Sequence, residues 1–459
     1  MINPGDDVAI LGLGVSGRAA ARYALSRGAT VRLSDSRPRE RFAIEERELL
    51  AEPGVLWEAG GHTFDFLRQA GRILVSPGVD LAQPLLRGLA EAGVAISGEL
   101  AVAAEELRVP TVAITGTNGK TTTTTLVGEL LAAGGLAPFV GGNIGTPLYD
   151  YLRQPGDHRA VVAEVSSFQL ESAGCFAPRV GILLNITPDH LDRHGSLEAY
   201  GRIKMRLFAH QGAGDVAIVN GDDPLCRNLA QGLPGVLQTF GHEADHTAVI
   251  AGKTVRVRVD GQVEEYSLAG TALGNSVGLQ NSAAAILAAR AMGVGREAIA
   301  GALRAFRLLP HRLELVNEID GVRYYNDSKA TNTGAVLGAL EEFDGNVLLI
   351  AGGRDKGDDY RLLRPAVADS VRLLITIGEA AGLIEAALAD VVETVRALSL
   401  HEAVTLAARR ARRGDTVLLS PACASFDMFT SYGHRGSEFR KEVAALAAAA
   451  AGIPPEDAR

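Results

Sequence analysis

The chain has 459 residues, of which 47% are hydrophobic and 22% charged, and its net charge is −9 at pH 7. This length predicts about two to four domains, and the composition is that of a folded globular protein rather than a disordered one. The acidic balance argues against a general nucleic-acid surface, because a long phosphate footprint requires a basic face.

The three cysteines, Cys175, Cys226 and Cys423, are widely spaced and odd in number. That pattern fits neither a disulfide framework nor a CxxC zinc site, and it favours a reducing cytoplasm. The polar N-terminus lacks the basic and apolar segments of a signal peptide, and no run of roughly 18 uncharged apolar residues predicts a membrane helix. We therefore expect a cytoplasmic protein with no membrane partner.

The first predicted strand, residues 8–11, leads into a G-x-G-x-x-G turn at residues 12–17 and then a helical run at 18–26. A second strand ends at Asp35. Glycines at these places allow backbone N–H groups to meet a diphosphate at a helix N-terminus. The arrangement predicts a nucleotide-binding half-fold, with a purely structural tight turn as the alternative, and taken alone it would suggest NAD.

A second phosphate loop follows the predicted strand 111–114, where residues 115–122 read T-G-T-N-G-K-T-T before a predicted helix at 123–132. A triphosphate with magnesium requires N–H donors, an ammonium group and a hydroxyl ligand at the start of a helix. The loop supplies all three, although Ile114 occupies the first glycine position of the usual motif. The alternative is a polar turn with a solvated Lys120.

Two further strands, at residues 161–165 and 180–184, end in polar clusters that contain Glu164 and His190. Binding residues collect at the carboxyl edge of parallel sheets, and these two groups can hold Mg²⁺ or orient a second substrate. Taken singly, Glu164 could equally be a surface charge and His190 a capping or buried histidine.

The rest of the chain continues the alternation of apolar strands and helices that is typical of parallel α/β sheets. Between residues 247 and 267 the pattern changes to alternating polar and apolar residues with Asp260-Gly261, which predicts an inserted antiparallel hairpin. Motif restarts near residues 110 and 309 predict three domains at 1–99, 100–308 and 309–459. The alanine-rich run at 443–451 predicts a closing helix with a frayed tail at 452–459.

With these motifs in order, the sequence resembles the Mur ligase family, and within it the branch that adds D-glutamate. The matching segments are residues 12–17, 76–78, 115–122, 141–145, 164–169, 185–190, 310–312, 326–332, 352–357 and 420–427. The resemblance implies an α/β fold of three domains: an N-terminal Rossmann-like domain, a central P-loop-type parallel sheet with a small antiparallel insertion, and a C-terminal Rossmann-like domain.

The resemblance also implies the binding residues of the first two domains. The UDP of a sugar substrate, not NAD, would be bound by Val15, Ser16, Ser36, Arg37, Gly78 and Asn143. ATP would be bound by Gly116, Thr117, Asn118, Gly119, Lys120, Thr121, Thr122 and Asn281. One Mg²⁺ would lie on Thr121 and Glu164, and a second on His190 and a carbamylated Lys204. Lys120, His190 and Lys204 would be the catalytic residues.

In the third domain the resemblance implies nucleotide contacts from Arg312, Asp327 and Lys329, and D-glutamate contacts from Thr331, Lys356, Ser425 and Tyr432. Tyr432 departs from the phenylalanine expected at its position. A second departure lies before the middle domain's last helix, where Gln280-Asn281-Ser282-Ala283-Ala284 keeps only the first asparagine of the family's His-Asn-x-x-Asn.

The reaction implied is ATP-dependent ligation of D-glutamate to UDP-N-acetylmuramoyl-L-alanine in peptidoglycan precursor synthesis, by a monomer that binds only small molecules. A sister ligase is the nearest alternative; the absent Asp-Asn-Pro-Arg argues against the diaminopimelate branch, and residues 420–427 favour D-glutamate. An NAD-dependent oxidoreductase would leave Lys120, Lys329 and Lys356 without a role. A non-catalytic nucleotide-binding protein would predict damage at Lys120, Glu164 or His190, which are all intact.

Overall fold

Three sheets organise the described part of the chain, which in the computed structural model is residues 1–259 and 261–450. Contacts divide the chain into two units. The first comprises Met1–Ile186, Tyr200–Ala269 and Gln280–Ala305, and the second comprises Thr187–Ala199, Gly270–Leu279 and the chain from Phe306 onward. Among the described residues, none of the helices combines the length and the apolar character needed to cross a membrane.

The N-terminal sheet is parallel throughout, with strand order β3-β2-β1-β4-β5. Its strands are β1 Asp7–Leu11, β2 Thr30–Asp35, β3 Val55–Ala59, β4 Arg72–Val75 and β5 Ala95–Ser97. The helices are α1 Val15–Ser26, α2 Ile44–Leu50, α3 Phe64–Leu67, α4 Pro84–Glu91 and α5 Glu99–Glu106. Buried apolar side chains of β1 and β4 pack against α4. The glycine-rich turn lies at the carboxyl edge of the sheet because it directly follows β1.

The central sheet has the order β14-β13-β12-β11-β10-β9-β6-β8-β7, and only the pairs β12–β13 and β13–β14 are antiparallel. Its strands are β6 Thr111–Thr115, β7 Pro138–Gly142, β8 Ala160–Glu164, β9 Val180–Leu183, β10 Val216–Asn220, β11 Val236–Gly241, β12 Ala248–Ala251, β13 Thr254–Val259 and β14 Gln262–Ser267. The helices in this stretch of the chain are α6 Lys120–Ala133, α7 Leu148–Arg153, α8 Ser167–Glu171, α9 Leu191–His194, α10 Leu197–Met205, α11 Pro224–Leu229, α12 Ser276–Ala291 and α13 Arg296–Ala305. Of these, α9 and the first residues of α10 and α12 belong to the second unit.

The third sheet has the order β15-β16-β20-β17-β18-β19, and its one antiparallel pair within the described residues is β15–β16. Its strands are β15 Glu314–Ile319, β16 Val322–Asn326, β17 Val347–Gly352, β18 Val371–Ile377, β19 Thr394–Arg396 and β20 Thr416–Leu419. The helices are α14 Thr333–Leu340, α15 Arg364–Ser370, α16 Ala381–Leu388, α17 Leu400–Arg410 and α18 Tyr432–Ala450. Apolar clusters cover both faces of the sheet, as a parallel sheet requires.

The predicted α/β fold with a mixed central sheet is confirmed. The antiparallel insertion is present, with Val259 paired to Gln262 across the turn, although Asp260 lies outside the described residues. Helix α6 begins three residues earlier than predicted because Gly119, in the left-handed conformation, starts it directly after the loop. The closing helix begins at Tyr432, well before the alanine-rich run, and the predicted tail at 452–459 lies outside the described residues.

The N-terminal and central sheets, both in the first unit, are joined by a fully buried carboxylate. Glu99, at the start of α5, accepts hydrogen bonds from Gln169 Nε2 at 2.8 Å and from the Tyr149 N–H at 3.4 Å. Burial raises the pKa of Glu99 to about 7, and the hydrogen bonds to its charged form only partly offset that rise.

We predict that Glu99 makes the chain less stable as pH rises. The folded-state pKa is above the unfolded one, so the folded chain binds the proton more tightly. The resulting stability is fully present below the unfolded pKa and is lost as pH rises through about 7. Between pH 5 and 8 the free energy of unfolding of the wild type should fall relative to that of Glu99→Gln, by on the order of 2 kcal/mol.

Urea unfolding at the two pH values measures this difference, with Glu91→Gln, on the exposed surface of α4, as the control. Parallel pH dependence of the wild type and Glu99→Gln would contradict the assignment.

Candidate active site

The phosphate loop lies between β6 and α6, at the carboxyl edge of the central sheet. The Lys120 ammonium donates to the carbonyls of Gly116 at 2.9 Å and Thr117 at 2.8 Å, so its side chain folds back over the loop. Gly119 has φ +83°, and a Cβ built there would lie 2.5 Å from Asn281 Oδ1. The loop therefore requires glycine at this position, and Asn281, predicted from the sequence to bind ATP, packs directly against it.

Asn185 holds the first half of this loop and was not among the predicted site residues. Its side-chain oxygen accepts from the N–H groups of Thr117 at 3.1 Å and Asn118 at 2.8 Å, and its amide donates to the Asn118 carbonyl at 3.2 Å. Asn185 follows β9, the neighbour of β6, so the signal available in the sequence was an asparagine directly after an adjacent strand. These bonds fix the loop before the helix begins.

The segment that carries Asn185 is itself fixed on both sides from the end of β10. Asn220 donates to the Leu184 carbonyl at 2.9 Å, and Asp223 accepts from the Ile186 N–H at 2.9 Å while it caps α11. Hydrogen bonds from side chains to backbone groups thus connect the end of β10 to the segment after β9, and that segment to the phosphate loop. They satisfy backbone N–H and C=O groups that would otherwise lack partners.

Glu164 ends β8, on the other side of β6. The carboxylate is 3% exposed; Oε1 accepts from Asn143 Nδ2 at 2.8 Å, whereas Oε2 is buried with no hydrogen-bond partner among the described residues. An unsatisfied carboxylate oxygen beside a phosphate loop is suited to a hard cation such as Mg²⁺. In the described chain no group of three or more His, Cys, Asp or Glu side chains gathers as a metal site. Mg²⁺ fits the site nonetheless, because it commonly takes only one or two carboxylates together with substrate phosphates.

Lys204 is the second cation of this site, in α10, and is only 1% exposed. Its ammonium donates to the Gly116 carbonyl at 2.8 Å and lies 4.2 Å from the centroid of the Tyr200 ring. The Gly116 carbonyl therefore accepts from both Lys120 and Lys204. Because an ammonium cannot ligate a metal, a ligand role for Lys204 requires its conversion to a carbamate.

In the N-terminal sheet the acid at the end of β2 binds Arg37. Asp35 accepts from Arg37 Nε at 2.9 Å and Nη2 at 3.0 Å, and from the Leu13 N–H of the glycine-rich turn at 2.7 Å. Burial acts to raise the pKa of Asp35, but the bonds from Arg37 and Leu13 outweigh it and lower the pKa below its ordinary value. Four other residues predicted to bind UDP lie at or near this edge of the sheet, in exposed or half-buried positions: Val15, Ser16, Ser36 and Gly78. The sixth, Asn143, instead follows β7 of the central sheet, where it bonds to Glu164.

The residues predicted to bind D-glutamate lie in the second unit, as does His190. Lys356 donates to Asp189 at 2.7 Å, and Asp189 also accepts from Asn332 at 3.3 Å. His190, with φ +55°, follows Asp189 and starts α9. Of the remaining D-glutamate residues, Thr331 is half-buried and Ser425 buried.

The predicted nucleotide residues of the second unit lie around the end of β16. Asp327 accepts from the Ser420 hydroxyl at 2.9 Å, and burial raises its pKa to about 7. The Lys329 ammonium lies 3.9 Å from the centroid of the Tyr432 ring, a cation–π contact. Arg312 is half-buried and lies two residues before β15.

The fold and this site define an α/β enzyme that binds a nucleoside triphosphate, and comparisons with known proteins identify its family. Residues 6–98 match the Mur ligase MurD-like N-terminal domain, residues 114–289 the Mur ligase middle domain, and residues 311–423 the Mur ligase glutamate ligase domain. The chain belongs to the Mur ligase family, whose members are ATP-dependent ligases.

Among similar proteins, a UDP-N-acetylmuramoylalanine–D-glutamate ligase of Desulfotalea psychrophila is 54% identical, over 95% of this chain and 96% of its own length. One with the same name from Pelotomaculum thermopropionicum is 44% identical, over 96% and 97%. Two solved structures share the fold. MurF from Thermotoga maritima, in complex with ADP, has a TM-score of 0.62 at 19% identity, over 97% of this chain and 96% of its own. A pseudomurein peptide ligase from Methanothermus fervidus has a TM-score of 0.63 at 18% identity, over 96% and 100%.

We predict that Gly119→Ala lowers ATP affinity at least tenfold, because the added Cβ would collide with Asn281 and force the loop to move. Gly135→Ala, just after the other end of α6, is the matched control. Gly135 has φ +80° but open space around its Cβ position, so alanine there adds only backbone strain, about 1 kcal/mol. Titration calorimetry with ATP measures both variants. Wild-type affinity in Gly119→Ala would contradict this reading of the loop.

Proposed function

We propose that this chain ligates D-glutamate to UDP-N-acetylmuramoyl-L-alanine with consumption of ATP, in peptidoglycan precursor synthesis. The observation that carries the proposal is the 54% identity, across 95% of the chain, to a ligase named for this reaction. The phosphate loop and Glu164, at the ends of neighbouring strands, supply the chemistry that such a reaction needs. We also infer that the enzyme works in the cytoplasm as a monomer.

The reaction needs no nucleophile from the enzyme. An oxygen of the L-alanyl carboxylate attacks the γ-phosphorus of ATP, the bond to ADP breaks, and an acyl phosphate forms. The amine of D-glutamate then attacks the acyl carbon, the amine loses a proton, and phosphate leaves. The enzyme contributes placement and charge neutralisation, which dominate catalysis of phosphoryl transfer.

The ATP subsite is proposed to be residues 116–122 together with Asn281. The Lys120 ammonium, now on two loop carbonyls, is within reach of a triphosphate at the same helix N-terminus. Thr121 and Glu164 would hold Mg²⁺, which when bound neutralises phosphate charge. The unsatisfied Glu164 oxygen supports this assignment. His190 and carbamylated Lys204 remain predictions as ligands of a second ion.

The N-terminal sheet is proposed to bind the UDP group. Arg37, fixed by Asp35, offers a guanidinium beside the glycine-rich turn, where backbone N–H groups can meet a diphosphate. Val15, Ser16, Ser36, Gly78 and Asn143 complete this proposed subsite.

The third sheet is proposed to bind the incoming amino acid through Thr331, Lys356, Ser425 and Tyr432, and to contact the nucleotide through Arg312, Asp327 and Lys329. The ion pair between Lys356 and Asp189 supports the role of Lys356, because its ammonium pairs with a carboxylate group in the protein itself. We infer that the three sheets mark three domains, at 1–99, 100–308 and 309–459.

The amino-acid specificity tests the proposal. We expect ADP release with ATP, Mg²⁺ and UDP-N-acetylmuramoyl-L-alanine when D-glutamate is offered, and none with L-glutamate, L-alanine or diaminopimelate, because the Lys356 subsite is proposed to select a D-dicarboxylate. A coupled ADP assay measures this. Turnover with another of these amino acids instead would place the chain in a sister branch, and no turnover with any would contradict ligase function.

A further inference from the structure

Arg435, in the first turn of α18, is a buried arginine whose hydrogen bonds all go to one region of the third sheet. The side chain is 1% exposed. Its Nε donates to Ser328 Oγ at 3.0 Å, and Nη2 donates to the carbonyls of Ser328 at 2.9 Å and Cys423 at 3.1 Å. Nη1 donates to the carbonyls of Gly352 and Ala424, both at 3.4 Å. All five N–H donors of the guanidinium are therefore used.

The acceptors lie at the carboxyl ends of three adjacent strands. Ser328 is two residues past β16, Gly352 is the last residue of β17, and Cys423 and Ala424 lie in the loop after β20. In the sheet β20 lies between β16 and β17. One side chain thus joins the three loops that follow these strands.

The same three loops carry residues proposed to bind substrates. Lys329 follows Ser328 directly, Lys356 lies four residues past Gly352, and Ser425 follows Ala424. Two of the loops also pair with each other. The Arg354 N–H donates to the Ala424 carbonyl at 2.8 Å, and the Ala424 N–H donates to the Arg354 carbonyl at 3.1 Å. A shift of any one acceptor would therefore be transmitted to a proposed substrate contact.

Gly353 shows how closely these loops meet around the guanidinium. Its φ is +136°, and a Cβ there would lie 2.2 Å from the Ala424 carbonyl oxygen and 3.1 Å from Arg435 Nη1. Two loop backbones and the arginine therefore meet in a space that admits no further carbon. This packing gives the guanidinium a single position.

The acceptors of Arg435 are neutral. Within the described chain no carboxylate forms a direct ion pair with it. Burial lowers the pKa of Arg435 to about 10, although the charge of Asp427 partly opposes this effect, and the group stays protonated at neutral pH. A buried cation without a direct ion pair is costly, and a neutral side chain would serve packing alone at lower cost. The retained charge lies at the edge of the sheet where carboxylates of an amino acid are proposed to bind.

We propose that Arg435 is a positioning residue for the amino-acid half of the site, which holds the three loops in register and adds positive charge that favours a dicarboxylate. This inference rests on the proposed function. Lysine cannot replace Arg435 fully, because it has three donors for five acceptors and lacks the planar fork. If the role were only structural, its loss would affect stability and all substrates alike.

The test compares Arg435→Met, Arg435→Lys and the wild type, with Arg440→Met as the matched control. Arg440 is on the same helix, its side chain is 37% exposed, and it forms an ion pair with Glu314 at 2.6 Å. The KM values for D-glutamate, ATP and the UDP substrate are measured for each protein, with thermal unfolding. We expect Arg435→Met to raise the KM for D-glutamate at least tenfold and that for the UDP substrate less than twofold. Arg435→Lys should be intermediate, and Arg440→Met should change each KM less than twofold.

Equal increases in all KM values, or an unchanged KM for D-glutamate in a folded Arg435→Met, would overturn the proposal. If Arg435→Met does not fold, Arg435→Lys decides, with binding of the UDP substrate as the check on folding; an unchanged KM for D-glutamate would then overturn it. A wild type without turnover on D-glutamate contradicts the proposed function, and this inference falls with it. Wild-type turnover with an unchanged variant contradicts the inference alone.

Discussion

The attachment of the phosphate loop to the end of its neighbouring strand is the interaction on which the rest of the site depends. A loop that binds phosphates through the first N–H groups of its helix must leave those groups unbonded within the protein, so bonds earlier in the loop must hold its shape. Asn185 provides these bonds at Thr117 and Asn118, ahead of the helix N-terminus where phosphate oxygens would bind. The helix begins at once after Gly119, and its first N–H groups are the ones proposed to bind phosphate oxygens.

Arg435 has a similar role in the third sheet, where a guanidinium rather than a side-chain amide holds the loops by hydrogen bonds. In both places a side chain, half-buried for Asn185 and buried for Arg435, bonds to the backbone of loops that follow adjacent parallel strands. These loops carry the groups proposed to bind substrates. Burial also raises the pKa of Glu99 and Asp327 to about 7. Burying these polar groups costs free energy of folding. The apolar side chains packed on the faces of the sheets offset that cost.

The elements predicted best from sequence are those with a local signal. The strands alternate with helices at recognisable spacing, and the phosphate loop contains its own glycines, lysine and hydroxyls. Asn185, Glu99 and Arg435 carry no comparable signal, because each has partners 50 or more residues away and their roles exist only once the sheets form. The start of α18 was missed for another reason: the prediction rested on the alanine-rich run at 443–451, whereas the helix already begins at Tyr432. The predicted substrate contacts themselves remain proposals.

The central claim is that the enzyme joins carboxylate and amine through an acyl phosphate, using placement and charge rather than a nucleophile of its own. The most direct measurement follows an oxygen atom. UDP-N-acetylmuramoyl-L-alanine with ¹⁸O in both oxygens of its carboxylate is turned over with ATP and D-glutamate, and the released phosphate is analysed by mass spectrometry. The account predicts one ¹⁸O atom in each phosphate. Unlabelled phosphate would show that the carboxylate never bonded to phosphorus, and would contradict it.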